Sequence, residues 1–304
     1  MPACFAFRLP LRSQCMDNVS LEPLMRWLMI RQTLLGVLLA MSWSGVAGWA
    51  NTPVNGALVR LDLLTDQPTI AAEFYEAVFG WTTEPTTDPA MRLLIGDGIA
   101  IGHIVDHEPA DPQVSEVQWL PSLAIDDPNV DPAAFGGSML LSAITGPHGE
   151  RLSVVADPEG APVALLGHSE SWRGSRDLVS DGRFWVELLA ENQQRASLFY
   201  KALLAYESRY AGSDPESYLL LTSEDKPRAG IVQKPWDDVA SSWLVYVRVS
   251  SVAETLDRVA AAGGSVLLGP RTSSSGGKVA IVADPTGGVI AVQEQVEREH
   301  DDAD

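Results

Sequence analysis

The sequence predicts an α+β protein of two tandem domains, each of paired βαβββ modules. Three observations carry this. First, "AAEFYEAVFGW" at residues 71–81 returns as "ASLFYKALLAY" at 196–206, an offset of 125. Second, other landmarks repeat in the same order. "LVRLDLL" (58–64) matches "RFWVELL" (183–189) at 125, "VVADPEGAPVALL" (154–166) matches "IVADPTGGVIAVQ" (281–293) at 127, and Gly136-Gly137 matches Gly263-Gly264 at 127. An offset that drifts by only two residues over a whole unit is the mark of a tandem duplication. Third, within each copy a strand runs into a helix and then into several short strands, and this cycle occurs twice.

The elements follow in order. "ALVRLDLL" alternates, with Val59, Leu61 and Leu63 on one face and Arg60 and Asp62 on the other. Thr65 or Asp66 is a candidate cap for a helix from about Thr69 to Phe79, whose apolar face holds Ile70, Phe74 and Val78. The strands "MRLLIG" and "IAIGHIV" complete the first cycle. The second opens on "WLPSLAID", has only a short, poor helix near "NVDPAAFG", and closes with "SMLLSAIT", "RLSVVAD" and "PVALLG". The second copy is cleaner. "WLVYVRV" leads into the helix "SVAETLDRVAAAG", which Gly263 should end, and then into "SVLLGP", "VAIVAD" and "GVIAVQE".

This divides the chain into an N-terminal region (1–50), a first domain (51–167), a polar Ser- and Gly-rich linker (168–182), a second domain (183–295) and an acidic tail (296–304). The N-terminal region has the order of a secretory signal. Arg26 and Arg31 precede an uncharged, mostly apolar run from Thr33, and small residues close it. Cleavage after Ala47 or Ala50 would release a periplasmic or secreted protein. The rival reading is an uncleaved inner-membrane anchor, for which the run is at the lower edge of length. Met16 and Met25 are alternative starts.

Composition narrows the function. The chain has 304 residues, 46% hydrophobic and 20% charged, enough to bury a core. A net charge of -19 argues against non-specific binding to nucleic acid. Both cysteines, Cys4 and Cys15, precede the signal-like segment, so an exported chain would have no disulfide, thiol nucleophile or thiolate metal site. There is no phosphate-binding glycine loop and no Gly-x-Ser-x-Gly elbow. His107, His148, His168 and His300 sit in polar segments and read as surface residues.

The Phe-Tyr helices, the "ADP-x-G" turns before each final strand and the Gly-Gly pairs, all in register twice, resemble the vicinal oxygen chelate superfamily. Glyoxalase I, bleomycin-resistance proteins, fosfomycin-resistance enzymes and extradiol dioxygenases belong to it. The resemblance covers about residues 56–167 and 181–295. It implies strands curled around a cleft in each domain and a divalent metal held there by His, Gln or Glu. At the positions that would carry these ligands the chain has Arg60 and Trp185 on the first strands, Leu120 and Leu244 on the partner strands, and Ala164 and Ala291 on the final strands. None can ligate a metal. His103 is a lone candidate, matched by Gly230 in the second copy. No metal and no other cofactor is therefore expected.

Alternation places other side chains in the clefts. In the second copy Trp185 and Glu187 should face inward with Leu244, Tyr246 and Arg248. Trp185, Glu187, Tyr246 and Arg248 would make a pocket with aromatic walls and both charges, suited to a small organic ligand. Alternatively Trp185 and Tyr246 fill the cleft and Glu187 pairs with Arg248. In the first copy Arg60 either receives an anion beside small Ser122 and Ala124 or pairs at the surface with Asp62. Three functions stay open: an exported, metal-free protein that binds a small molecule, a metal-dependent lyase or dioxygenase, and a non-catalytic scaffold. Oligomeric state is not legible. Mass spectrometry of the exported protein is expected to find an N-terminus at Gly48 or Asn51; an intact N-terminus in a membrane fraction would instead establish the anchor.

Overall fold

The computed structural model describes residues 54–108, 117–145, 150–167, 177–211, 218–234, 239–273 and 276–294. The signal-like segment, His148, His168, His300, the acidic tail and most of the linker lie outside the described residues. Among the described residues, no helix is long and apolar enough to cross a membrane.

Four βαβββ modules follow one another. The first holds β1 (Leu58–Thr65), α1 (Pro68–Phe79), β2 (Thr82–Pro85), β3 (Met91–Gly96) and β4 (Ile99–Asp106). The second holds β5 (Gln118–Ile125), a 3-10 turn (Pro132–Phe135), β6 (Ser138–Thr145), β7 (Arg151–Ala156) and β8 (Pro162–Gly167). The third holds β9 (Phe184–Ala190), α2 (Gln193–Leu204), β10 (Glu207–Tyr210), β11 (Leu219–Ser223) and β12 (Lys226–Gln233). The fourth holds β13 (Ser242–Val249), α3 (Val252–Ala261), β14 (Ser265–Ser273), β15 (Gly276–Ala283) and β16 (Val289–Glu294). Each domain forms one eight-stranded sheet. The orders, β2-β3-β4-β1-β5-β8-β7-β6 and β10-β11-β12-β9-β13-β16-β15-β14, are the same. Within a module the first and last strands pair in parallel; the two modules join through antiparallel β1–β5 and β9–β13.

Alternation sorts most strand residues as expected. Phe184, Val186, Leu188, Val245 and Val247 lie in the large helix-side core, while Trp185, Leu244 and Tyr246 form a separate cleft-side cluster. Strand β1 departs from this. Leu58 joins Leu61 and Leu63 on the helix side, and Val59 turns to the cleft with Ala57 and Leu64. The cause is an irregularity in the pairing with β5 between Leu58 and Arg60, which shifts the phase. Helix α1 is also rotated from the expected face. Ala71, Phe74, Tyr75 and Val78 are buried and Ile70 is 42% exposed. Its N-cap is Gln67, without a side-chain cap bond; Thr65 Oγ1 instead accepts from the Gln67 amide (3.1 Å). Helix α3 does end before Gly263, whose φ is +81°.

The helix-side core is shared by both domains, and the repeated motifs build it reciprocally. Phe74 of α1 packs on Gly264 of the second domain, where a methyl group would stand 2.6 Å from Phe74 Cε2 and 2.7 Å from Ala283 O. Phe199 of α2 packs on Gly137 of the first domain, where a methyl group would meet Ala156 O and Phe199 Cε2, both at 2.5 Å. The Tyr75 hydroxyl donates to Asp284 Oδ2 across the seam (2.8 Å) and accepts from Trp119 Nε1 (3.1 Å). Trp243 Nε1 likewise donates to Tyr200 Oη (3.2 Å), and burial followed by the Asp157 carboxylate raises the Tyr200 pKa. Further bridges are the Tyr206 hydroxyl to Gly56 O (2.5 Å) and Arg183 Nη1 to Asp97 Oδ2 (2.7 Å). Glu159 accepts from the amides of Glu191 and Asn192 just ahead of α2 (2.7 and 2.8 Å).

Denaturation of Gly264→Ala should show a loss of about 1–3 kcal/mol, because backbone on one side and a ring on the other leave nowhere for the methyl to go. Tyr75→Phe should cost about 1–3 kcal/mol by orphaning one oxygen of the buried Asp284. Unchanged unfolding midpoints for both variants would show that the seam does not hold the domains together.

Candidate functional site

The two clefts carry different buried clusters at matching positions. In the second domain Glu187 lies centrally on β9, with Gly230 of β12 and Leu244 of β13 beside it in register. The Tyr246 hydroxyl donates to Glu187 Oε2 (2.6 Å), and Trp185 Nε1 donates to Tyr218 Oη (3.0 Å). Tyr218, just ahead of β11, turns its hydroxyl toward the same carboxylate. This explains Gly230: a methyl group there would stand 2.2 Å from Tyr218 Oη and 3.1 Å from Glu187 Cγ. Trp185, Glu187, Tyr218 and Tyr246 are all buried. Burial pushes the Glu187 carboxyl up to about 7, although hydrogen bonds from Tyr246 and Tyr218 pull it down. No hydrogen bond of good geometry reaches Glu187 Oε1 from the described residues.

Arg248 stands apart from this arrangement. It lies near the end of β13, half-buried, with its amide bonded to Arg183 O (2.9 Å), and it lines a cavity at the domain seam. Three of the four second-copy residues thus come together. Tyr218 replaces Arg248 as the fourth member.

In the first domain Asp62 stands where Glu187 stands in the second. Arg60 Nε lies 2.8 Å from Asp62 Oδ2. His103, opposite Asp62 on β4, places Nδ1 at 3.0 Å from Asp62 Oδ1 and donates its amide to the same oxygen at 3.0 Å. The Arg60–Asp62 pair forms, but it is not at the surface: Arg60 is 3% exposed and Asp62 fully buried. Burial alone would raise the Asp62 pKa. Arg60 and His103 more than offset it and hold the carboxyl below its ordinary value. Ser122, across from Arg60 on β5, has a buried Oγ without a hydrogen-bond partner among the described residues. His107, expected at the surface, is 7% exposed, and its amide donates to Thr65 O (2.9 Å) at the end of β1.

Two participants are not legible as such in the sequence. Tyr218 had no motif to mark it; only its alternation with Leu219 and Leu220 could have turned it inward. His103 stood out only as a lone metal candidate, whereas parallel β1–β4 pairing makes it the partner of Asp62.

The residues present do not fit a divalent metal. Leu120, Ala164, Leu244 and Ala291, at the positions where the resemblance places ligands, are buried in the cleft-side clusters and offer no donor atom on their side chains. Asp62 is already shared by a guanidinium and an imidazole, and Glu187 is surrounded by hydroxyls. Among the described residues, no group of three or more His, Cys, Asp or Glu could hold a metal ion.

Comparison with known proteins agrees with this architecture. No family model matches the chain. The protein named "Putative glyoxylase CFP32" of Mycobacterium tuberculosis is 29% identical over 248 residues, covering 76% of this chain and 92% of the relative. The "Anthracycline biosynthesis protein DnrV" of Streptomyces peucetius is 27% identical over 263 residues, covering 79% and 93%. Among solved structures, the Mn(II)-bound glyoxalase from Novosphingobium aromaticivorans superposes with a TM-score of 0.55 at 16% identity, covering 81% of this chain and 84% of that one. An extradiol ring-cleaving dioxygenase from B. fuscum gives 0.54 at 14%, covering 84% and 76%. This is a tandem protein of the vicinal oxygen chelate fold. The paired modules and their two eight-stranded sheets are the form that fold takes in this chain.

The raised Glu187 pKa predicts a pH dependence. Folded, Glu187 keeps its proton to about pH 7; unfolded, it releases it near 4.5. Between these the folded state binds more protons, so this contribution to stability falls as pH rises. Asp157, raised by burial to about 6, acts in the same direction. In thermal melts, Glu187→Gln should lose less stability than the parent between pH 5 and pH 8. Parallel losses in both proteins would remove Glu187 as a source.

Proposed function

We propose that this protein binds a small organic molecule without a metal, in the cleft of its second domain, and that it is an exported protein. The observation that carries the reading is Glu187: a buried carboxylate fixed by Tyr246 on one oxygen, with its other oxygen left to accept from a ligand hydroxyl or N–H. Trp185 and Tyr246 supply apolar faces beside it. The relatives named for a glyoxylase and for anthracycline biosynthesis support a small organic molecule as the partner. The basic, apolar and small-residue order of residues 25–50 supports export.

A second reading keeps the metal chemistry of the fold, and the Mn(II)-bound glyoxalase among the structural neighbours favours it. Elemental analysis of the purified protein separates the two. The metal-free reading expects no stoichiometric transition metal. Metal at one equivalent, lost on His103→Ala or Glu187→Ala, would overturn it.

A thermal-shift screen of small hydroxylated and aromatic compounds should then yield a ligand. For that ligand Glu187→Gln should weaken binding by about 1.5–3 kcal/mol, the range for hydrogen bonds to charged groups. A cleft filled by its own side chains predicts otherwise. Trp185→Ala would destabilise the fold by about 3–5 kcal/mol, as large core truncations do, and leave the affinity of any ligand unchanged. Finding no ligand at all would leave the domain pair as a scaffold.

A further inference from the structure

A cavity of about 430 Å³ opens at the domain seam, on the helix side of the sheets and outside both clefts. Its size falls within the range of small-molecule pockets. Phe79, Trp81 and Phe184 line one part of it. The Phe79 and Trp81 rings stack at 4.9 Å, and Phe184 is tilted against Trp81 at 5.8 Å. Three arginines, Arg183, Arg248 and Arg258, and two carboxylates, Glu76 and Asp97, also line it, so its wall carries a positive balance in a chain of net charge -19.

The three arginines are not equivalent. Arg183 is neutralised by Asp97 at 2.7 Å, with Asp181 at 3.5 Å, and serves the seam. Arg258 donates from Nε to Val78 O (2.9 Å) and from Nη2 to Thr255 Oγ1 (3.0 Å). Both acceptors are uncharged, so these bonds hold the guanidinium in place and leave its charge uncancelled. Arg248 is half-buried, and burial lowers its pKa, so an approaching anion would favour its charged form. Of the two carboxylates at the cavity, Asp97 is held by Arg183 and Glu76 on α1 is exposed.

We propose that the seam cavity binds a small planar aromatic acid, its ring against Phe79 and Trp81 and its carboxylate on Arg248 and Arg258. Guanidinium groups match a carboxylate in shape and charge, and aromatic walls take the ring. The site draws on both domains, so its occupant would also tighten the seam. This proposal is independent of any ligand in the second-domain cleft.

Calorimetric titration with 2-naphthoate tests it, with 2-naphthamide as the uncharged isostere and inorganic phosphate as the anion without a ring. Saturable binding of one 2-naphthoate is expected, at least tenfold tighter than either comparison compound. Arg248→Gln and Arg258→Gln should each weaken it tenfold or more. Arg258 also clamps α3 to α1, so melting temperatures accompany both titrations, and Arg248→Gln decides if Arg258→Gln does not fold. Absence of binding, equal binding of the amide, or an undiminished Arg248→Gln affinity would overturn the proposal. So would loss of binding in Glu187→Gln with both arginines intact, which would place the acid in the second cleft.

Discussion

The Tyr75–Asp284 hydrogen bond crosses from one domain to the other, and the rest of the fold is arranged around contacts of this kind. A helix of twelve residues is marginal by itself, so α1 and α2 must each bury a face. Each covers the first strand of its own sheet and then meets the Gly-Gly pair and the Asp-Pro turn of the other domain. Phe needs the glycine because any side chain there would occupy the ring's place. Tyr needs the aspartate because a phenol removed from water must find an acceptor. The repeated motif therefore marks one half of a two-way contact. Each copy has to keep both halves, the Phe-Tyr that docks and the Gly-Gly with Asp that receives.

This explains why the copies resemble each other on the helix side and differ on the cleft side. Helix-side residues answer to a partner domain that carries the same motif. Cleft residues answer only to one another, and matching positions have parted: Arg60 against Trp185, Asp62 against Glu187, His103 against Gly230, Ser122 against Tyr246. Each set is locally consistent. A tyrosine needs room, so Tyr218 goes with glycine at 230. A histidine needs an acceptor, so His103 goes with Asp62 beside Arg60.

Strand faces were legible in the sequence because a period of two leaves little choice once one face is apolar. Phe184, Val186 and Leu188 against Trp185 and Glu187 is the plainest case. The bounds of helix α1 are legible but its rotation is not, since Ile70 and Tyr75 flank the Phe74 and Val78 face from opposite sides, about 140° apart, and the pattern does not say which is buried. The tyrosine wins only because Asp284 waits across a seam that lies 209 residues away. Val59 was misplaced because a pairing irregularity leaves no trace in composition. Continued alternation puts Arg248 in the second cleft, but near the end of β13 its side chain lines the seam cavity instead. Local patterns could be read. Partners distant in sequence could not, and in both clefts the partners decide the chemistry.

The two clefts end with opposite electrostatic solutions to one problem, a carboxylate removed from water. Asp62 is kept ionised by Arg60 and His103, so its charge is cancelled at short range and the group is fixed. Glu187 has hydroxyls rather than cations around it, so near neutral pH it exchanges a proton at modest cost. A group of the first kind holds a shape, and removing Arg60 would leave the buried carboxylate with His103 as its remaining side-chain partner. A group of the second kind can respond, because a ligand that donates to Oε1 favours the ionised form and a ligand that accepts favours the protonated one. The seam cavity offers a third environment, where the neutral acceptors Val78 O and Thr255 Oγ1 hold the Arg258 guanidinium in place. Duplication thus supplied one scaffold twice. The reciprocal seam left each domain free to build its own polar interior, and the second domain built the one whose protonation state can follow an occupant.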